Sequence, residues 1–406
     1  MSSWHIRAMA AAAMAMGAGG MVFLSFSITL PLLAKDLHLG LGQAMIYASL
    51  NALVGAFSMA VLAPAGVRRF GIRAIVGFGG AWTALVLVLT SLVNSLPMLI
   101  LLGAALGLTL PTCTNLAATA IVNIWFAARR GTMLGIVLAL AGGGGIATGV
   151  FLPRIVEGYG WRVGFVVLGV ATAALLVLPS IFLLRSRPQD VGLVAHGSLA
   201  EEATAATPVL GTRAALAFRT PQFAALAIGL VGLNAIQAMQ QHLAPIFAEH
   251  GLALIAAGTL ISLLALVAIP STLATGVLND RIGPLRTVTI STVLLVVGLL
   301  VVHLTSGYGP MAAFIVLLSP SAVMGPVLTS ILVRHVFGTR DFVRLLGPLM
   351  ATMPAGIALG TVLWGVVVDA TGSYDLGVVI SMGAAVVCLA LITYAVTTGR
   401  RLALSG

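Results

Sequence analysis

Apolar residues in this chain fall in long, nearly unbroken runs. Twelve such runs lie near residues 8–33, 43–65, 74–94, 97–124, 131–155, 162–184, 222–248, 253–278, 286–305, 310–336, 344–369 and 376–398. Each has the roughly 20 residues that the hydrocarbon core of a bilayer demands of a helix. Helix is the predicted element because it satisfies every backbone polar group internally where no water is available. Polar residues gather between the runs. The one long polar stretch, 185–220, separates six runs from six. The pattern therefore predicts an all-α membrane protein of twelve transmembrane helices: a first bundle over 1–184, a cytoplasmic linker over 185–220 and a second bundle over 221–406. Inside the linker, Thr212 to Arg219 is expected to form a short interfacial helix. Its Leu216 and Phe218 are apolar, and Arg213 and Arg219 can reach back to water.

The two halves repeat each other at an offset of about 212 residues. The loop Arg69-Phe70-Gly71-Ile72-Arg73 returns as Arg281-Ile282-Gly283-Pro284, Phe126 to Arg130 returns as Phe337 to Asp341, and Val156 to Gly160 returns as Val368 to Gly372. Three loops in one register make two fused, pseudo-symmetric bundles, an arrangement that places a solute site at the interface between repeats.

Charge distribution sets the orientation. Only 7% of the 406 residues are charged, against roughly 25% in a soluble domain. Of the 20 lysines and arginines, all but Lys35, Arg154 and Arg162 fall on one side when the loops are numbered alternately. By the positive-inside rule that side is cytoplasmic and holds both termini, which fits a multi-pass protein of a bacterial inner (plasma) membrane. The rule also accounts for the net charge of +10 without a nucleic-acid partner. The first run, preceded by Arg7, resembles a signal peptide but is read as a retained span, because the six-plus-six symmetry needs it. Cys113 and Cys388 both lie inside runs and read as buried small side chains, not a disulfide.

Polar side chains inside spans mark candidate function, since each is costly in lipid unless it faces a bundle interior or cavity. Asn234, Gln237 and Gln241 form one helical stripe, flanked by Gln240 and His242. Thr112, Asn115, Thr119 and Asn123 form another. Ser25 and Thr29 are one turn apart, and Ser319 and Ser321 flank Pro320. Ser25, Thr29, Asn115, Thr119, Asn234, Gln237, Gln241, His242 and Ser319 are the candidate substrate-binding residues. Hydroxyls are more readily satisfied on their own helix; an amide has more donors and acceptors than the backbone absorbs. His242 reads equally as a substrate or proton-titrating group and as a neutral structural imidazole. Arg154 and Arg334, near span ends, are expected to snorkel or pair. Gly142 to Gly145 and Gly149 are expected to let helices pack closely.

No nucleophile–base pair or metal-ligand cluster stands out, so no enzyme, cofactor or metal site is expected. No Asp or Glu lies within a predicted span, which argues against export of cationic drugs.

The chain resembles the major facilitator superfamily. Gly276-Val-Leu-Asn-Asp280-Arg281-Ile-Gly283 matches the superfamily's G-x-x-x-D-R-x-G loop, and the first-half copy is degenerate, with Pro64 and Arg68 at the Gly and Asp positions. Within the superfamily it is similar to the monocarboxylate transporter and oxalate/formate antiporter branch. That likeness rests on Trp125-Phe126-Ala-Ala-Arg129-Arg130-Gly131, Gly160-Trp161-Arg162, Arg187-Pro188-Gln-Asp190-Val-Gly192-Leu193 and Gly365 to Tyr374. The resemblance implies alternating access between two six-helix bundles, with the first, fourth, seventh and tenth spans lining the cavity. It departs from the branch where relatives carry an anion-holding arginine, here Thr272, and where oxalate exchangers carry a lysine: Leu345 to Val368 contains no charge.

The expected activity is therefore secondary active transport of a small organic solute, a monocarboxylate or related organic anion first, with protons as the candidate coupling ion and the protein acting as a monomer. Export of a neutral or amphipathic compound is the first rival. A non-transporting sensor on the same fold is the rival from another class. Gating is expected from Arg68, Arg69, Arg129, Arg130, Asp280, Arg281 and Asp341. Basic residues in the first half and acidic ones at the equivalent second-half positions make Asp280 with Arg129 or Arg130, and Asp341 with Arg68 or Arg69, the expected pairs.

Overall fold

The computed structural model describes residues 2–113, 115–126, 130–193, 214–322, 325–338 and 341–404. Among them the α-helices are α1 (Ser3–Asp36), α2 (Leu41–Phe57), α3 (Ala63–Thr90), α4 (Leu96–Gly107), α5 (Asn115–Trp125), α6 (Arg130–Phe182), α7 (Ala214–Ala217) and α8 (Pro221–Gln237). The second part of the chain continues with α9 (Leu243–Glu249), α10 (Leu254–Ile282), α11 (Pro284–Leu304), α12 (Tyr308–Ala322), α13 (Gly325–Phe337), α14 (Phe342–Met350), α15 (Thr352–Thr371) and α16 (Asp375–Leu404). Nine helical stretches among the described residues are long and apolar enough to cross a membrane. One of them, Gly135–Phe182, contains two predicted spans, joined at a kink where Gly160 (φ 84°) leaves helical geometry. The run 97–124 is broken into α4, a 3-10 turn (Leu110–Cys113) and α5, and α12 and α13 are the described parts of the run 310–336.

The sequence repeat reappears in the backbone. Gly71 (φ 79°, ψ 161°) and Gly283 (φ 85°, ψ 165°) adopt the same conformation 212 residues apart. That region is essentially closed to residues with a Cβ, so glycine is required at both corners. Of the predicted short helix from Thr212 to Arg219, the structure shows the turn α7; Thr212 and Arg213 lie outside the described residues. Its first N–H is capped by Asp341, whose Oδ2 accepts from the Ala214 amide at 2.8 Å. Thr220 caps α8 by accepting from the Phe223 amide at 3.3 Å, with Pro221 in the first turn, where a missing N–H costs nothing.

The chain forms two compact units, Met1–Ala205 with Ala257–Ala265, and Ala206–Ala256 with Leu266–Gly406. Within the first unit, Ser262 Oγ donates to the Ile146 carbonyl at 3.0 Å, and a Cβ on Gly258 would lie 2.3 Å from the Gly149 carbonyl oxygen. Small residues on both helices permit that approach.

In the first unit, α1 presents Ala8, Ala11, Ala12, Ala15 and Ala18, all buried, to Ile121, Val122, Trp125 and Phe126. The glycine run does what small residues predict at one position above all. A Cβ on Gly144 would sit 2.1 Å from the Gly17 carbonyl oxygen, so α1 and α6 touch backbone to backbone. The second unit repeats the device at the equivalent place: a Cβ on Gly356 would lie 2.5 Å from the Val231 carbonyl oxygen, and one on Gly360 2.1 Å from that of Ala235. Lys35, Arg154 and Arg334 are all exposed, and Arg154 donates to the Val150 carbonyl one turn back on its own helix. Cys388 is a free, buried thiol.

Candidate functional site

The amide stripe of the second unit lies on α8 and the 3-10 turn Ala238–His242 that follows it. Asn234, Gln237, Gln241 and His242 are all buried there. Asn234 is satisfied locally, donating from Nδ2 to the Leu230 carbonyl at 2.8 Å. Gln237 reaches out: its Nε2 donates to Ser321 Oγ of α12 at 2.7 Å, and that hydroxyl donates to the Leu318 carbonyl at 2.7 Å. Gln240 Nε2 donates to Gln237 Oε1 at 3.1 Å. The result is a directional chain from half-buried Gln240 through Gln237 and Ser321 to the backbone of α12. One residue pair along, Ser319 is fully buried and its hydroxyl has no partner among the described residues. A buried unpartnered hydroxyl costs about 1–3 kcal/mol, so a solute or water at that point would be stabilising.

The next two positions tie the turn to α15. Thr361 Oγ1 lies 2.9 Å from Gln241 Oε1 and 2.7 Å from the Ile357 carbonyl, and it can donate to either. His242 Nε2 lies 3.1 Å from the Thr361 carbonyl oxygen, and Nδ1 lies 3.1 Å from the Tyr374 hydroxyl. A carbonyl only accepts, so Nε2 carries the proton and, in the neutral ring, Nδ1 accepts from Tyr374. Burial, then the Glu249 and Asp369 carboxylates, push the Tyr374 phenol up, which keeps it a donor. Glu249 closes the corner, accepting from the Tyr374 amide at 2.9 Å and from the Ser373 hydroxyl. Trp364 packs against both rings.

This arrangement uses both nitrogens of His242 for positioning. His242→Ala is expected to lower stability by about 2–4 kcal/mol, through a cavity and an orphaned carbonyl. Tyr374→Phe, which removes one hydroxyl, is expected to cost about 0.5–1.5 kcal/mol. Thermal melts of the two variants, with transport rates across pH, check the reading. An altered pH profile at unchanged melting temperature would instead make His242 a titrating group.

In the first unit, Ser25 Oγ donates to the Val22 carbonyl at 2.7 Å and Thr29 Oγ1 to the Ser25 carbonyl at 2.9 Å. Both are fully buried and self-satisfied on α1. Thr112 likewise donates to the Thr109 carbonyl at 2.6 Å. Thr119 is half-buried on α5, and the side chain of Asn115 lies outside the described residues. Of the gating candidates, Arg68, Arg69, Asp280 and Arg281 are exposed, with Arg69 lying over the ring of its neighbour Phe70 at 5.3 Å. Asp341 holds α7 within the second unit; Arg129 and the Arg130 side chain lie outside the described residues. Thr361 and Tyr374, the partners of the α8 turn, are not marked by spacing in the sequence, since the contacts span 119 to 132 residues.

The all-helical architecture and the polar rows buried within it define the transporter fold of a multi-pass membrane protein. The chain belongs to the Major Facilitator Superfamily, whose family description matches residues 8–336. Comparison with curated proteins finds no sequence match. Among solved structures, a mutant of the nucleoside transporter NupG is similar, with a TM-score of 0.78 at 14% identity, covering 97% of this chain and 100% of that one. A bacterial homologue of the human lysosomal transporter Spinster has a TM-score of 0.70 at 16% identity, covering 100% and 98%. A mutant peptide transporter, POT, in complex with alafosfalin has a TM-score of 0.70 at 12% identity, covering 98% and 96%. At such identities the likeness is one of fold.

Proposed function

We propose that the protein is a secondary active transporter that moves a small, uncharged, hydrogen-bonding organic solute by alternating access. It would work in a bacterial inner membrane with both termini in the cytoplasm. One observation carries the solute class: among the described residues no Arg, Lys, Asp or Glu is buried, while amides and hydroxyls are. The runs 8–33, 97–124 and 222–248 contain no Arg, Lys, Asp or Glu, nor does 310–333. A carboxylate taken out of water needs a paired cation or a strong donor cluster, whereas a neutral polar solute needs only the donors and acceptors of Gln240, Gln237 and Ser319. The exchange of charge between the halves, Asp280 and Asp341 against Arg68, Arg69, Arg129 and Arg130, supports a salt-linked closure as part of the same cycle.

A monocarboxylate is the second reading, favoured by the Trp125 to Gly131 and Gly365 to Tyr374 segments. Thermal-shift measurements on purified protein separate the two. At about 100 times its dissociation constant a ligand adds about 2.7 kcal/mol, a shift of roughly 5–10 °C. Shifts confined to uncharged polar solutes are the expected result. Shifts confined to small carboxylates would replace the first reading with the second.

A further inference from the structure

At the end of the first unit where the chain starts, α3 and the close of α6 enclose a groove of about 470 Å³, lined by Phe70, Arg73, Ala74, Phe78, Ile181 and Ser186 among others. One arginine, Arg73, lines it, and a second, Arg185, reaches a carbonyl of its lining. Arg73 donates from Nε to the Ser180 carbonyl at 2.8 Å and from Nη2 to the Ile181 carbonyl at 3.2 Å; Arg185 Nη1 reaches the same Ile181 carbonyl at 3.4 Å. These are the carbonyls a helix end leaves free, and the end of the helix dipole favours cations there. Two guanidinium groups thus converge on one oxygen. A third joins them through Trp4, whose ring lies 4.7 Å from the Arg7 guanidinium and 5.3 Å from that of Arg185.

Among the described residues none of these three arginines has a carboxylate partner. The nearest acid in sequence, Asp190, accepts from the backbone amide of Arg187 at 2.9 Å. Arg73 uses two of its five N–H groups, which leaves three. The apolar part of its lining is exposed: Phe78 is 66% exposed and Phe70 60%. Phe78 is backed by a stacked Trp82, ring centroids 6.3 Å apart.

The geometry points to a binding site for an anionic glycerophospholipid, its phosphate on Arg73 and Arg185 and an acyl chain along Phe78 and Ile181. Arg73 in the groove and Arg185 beside it on the Ile181 carbonyl, neither with a carboxylate partner among the described residues, attract the phosphate, and guanidinium takes a phosphate in bidentate fashion. The exposed aromatic rim supplies the half of the site that a free phosphate ion would not use. Lipid is the occupant because the guanidinium of Arg73 and the exposed apolar rings of Phe70 and Phe78 line the same groove.

The test titrates full-length purified protein in detergent with phosphatidylglycerol, phosphatidylcholine or inorganic phosphate, reading the thermal midpoint. Phosphatidylglycerol is expected to stabilise the protein where the other two do not. Apparent affinity should weaken by about 5-fold in Arg185→Gln and about 25-fold in Arg73→Gln/Arg185→Gln. Arg286→Gln, an equal charge change at an exposed position of the second unit, should leave it unaltered. Arg73 also braces α6, so Ala74→Trp provides a variant that fills the groove and keeps both charges; it should abolish the preference. An unchanged preference in Ala74→Trp and Arg185→Gln would overturn the proposal. So would an equal shift with inorganic phosphate alone, which would make the site one for a free anion.

Discussion

Gly144→Leu is expected to leave no folded protein in detergent. The Cβ it introduces would lie 2.1 Å from the Gly17 carbonyl oxygen, 2.6 Å from its carbon and 2.9 Å from its Cα. All three are backbone atoms, so no rotamer relieves the clash, and α1 must move away from α6. That separation breaks a contact on which the alanine face of α1 depends. Overpacking typically costs about 1–3 kcal/mol, and a side chain as large as leucine adds the loss of the helix pair to that figure. Gly144→Ala is the graded version. It gains about 1 kcal/mol of helix propensity yet still meets the backbone, so a smaller net loss, of up to about 2 kcal/mol or a fall in melting temperature of up to roughly 8 °C, is expected. Gly143→Ala, with nothing within 4 Å of its new Cβ, should be neutral or stabilising by about 0.4–1 kcal/mol. Size-exclusion profiles and thermal melts of the three variants check this. Wild-type stability in Gly144→Leu would mean that α1 and α6 do not approach as described.

Gln237→Leu is expected to weaken transport by about 10- to 100-fold while leaving melting temperature within a few degrees. Leucine fills much of the volume but removes the donor to Ser321 and the acceptor for Gln240. Losing one to two hydrogen bonds of about 1.5 kcal/mol each gives that range. Asn234→Leu is the comparison, since its amide bonds only to the Leu230 carbonyl of its own helix; a loss of less than about fivefold is expected there. Counterflow in proteoliposomes, at matched protein incorporation, reads both. Equal losses in the two variants would mean that the amide chain has no special role.

Much of the fold is legible in the sequence because lipid imposes one rule on every span. Runs of about 20 apolar residues can only be helices there, and the repeat of Arg69 to Arg73 at Arg281 to Pro284 sets the halves in register. Gly71 and Gly283, which that register pairs, adopt the same conformation in the structure. Composition does not show where a helix departs from α geometry. The π-helical turn Ser58–Leu62 and the 3-10 turn Ala238–His242 both sit inside apolar runs with no local signal. The α8 amides stand out in sequence because polar side chains are rare in spans. Which of them bridge helices does not, because Ser321, Thr361 and Tyr374 meet the turn only after the chain has folded back. Spacing alone also ranks Ser319 and Ser321 together, yet only Ser321 receives the Gln237 amide. The sequence leaves His242 open between a titrating group and a neutral structural imidazole; both its nitrogens have partners only across the fold, in Tyr374 and Thr361.

The proposed function stands or falls on what crosses the membrane. The decisive measurement is counterflow into proteoliposomes containing the wild-type protein, across a panel of uncharged polar solutes and small carboxylates. The account predicts saturable counterflow of an uncharged solute that Gln237→Leu weakens. Counterflow of carboxylates alone, or none of any solute by protein shown to be folded, would contradict it.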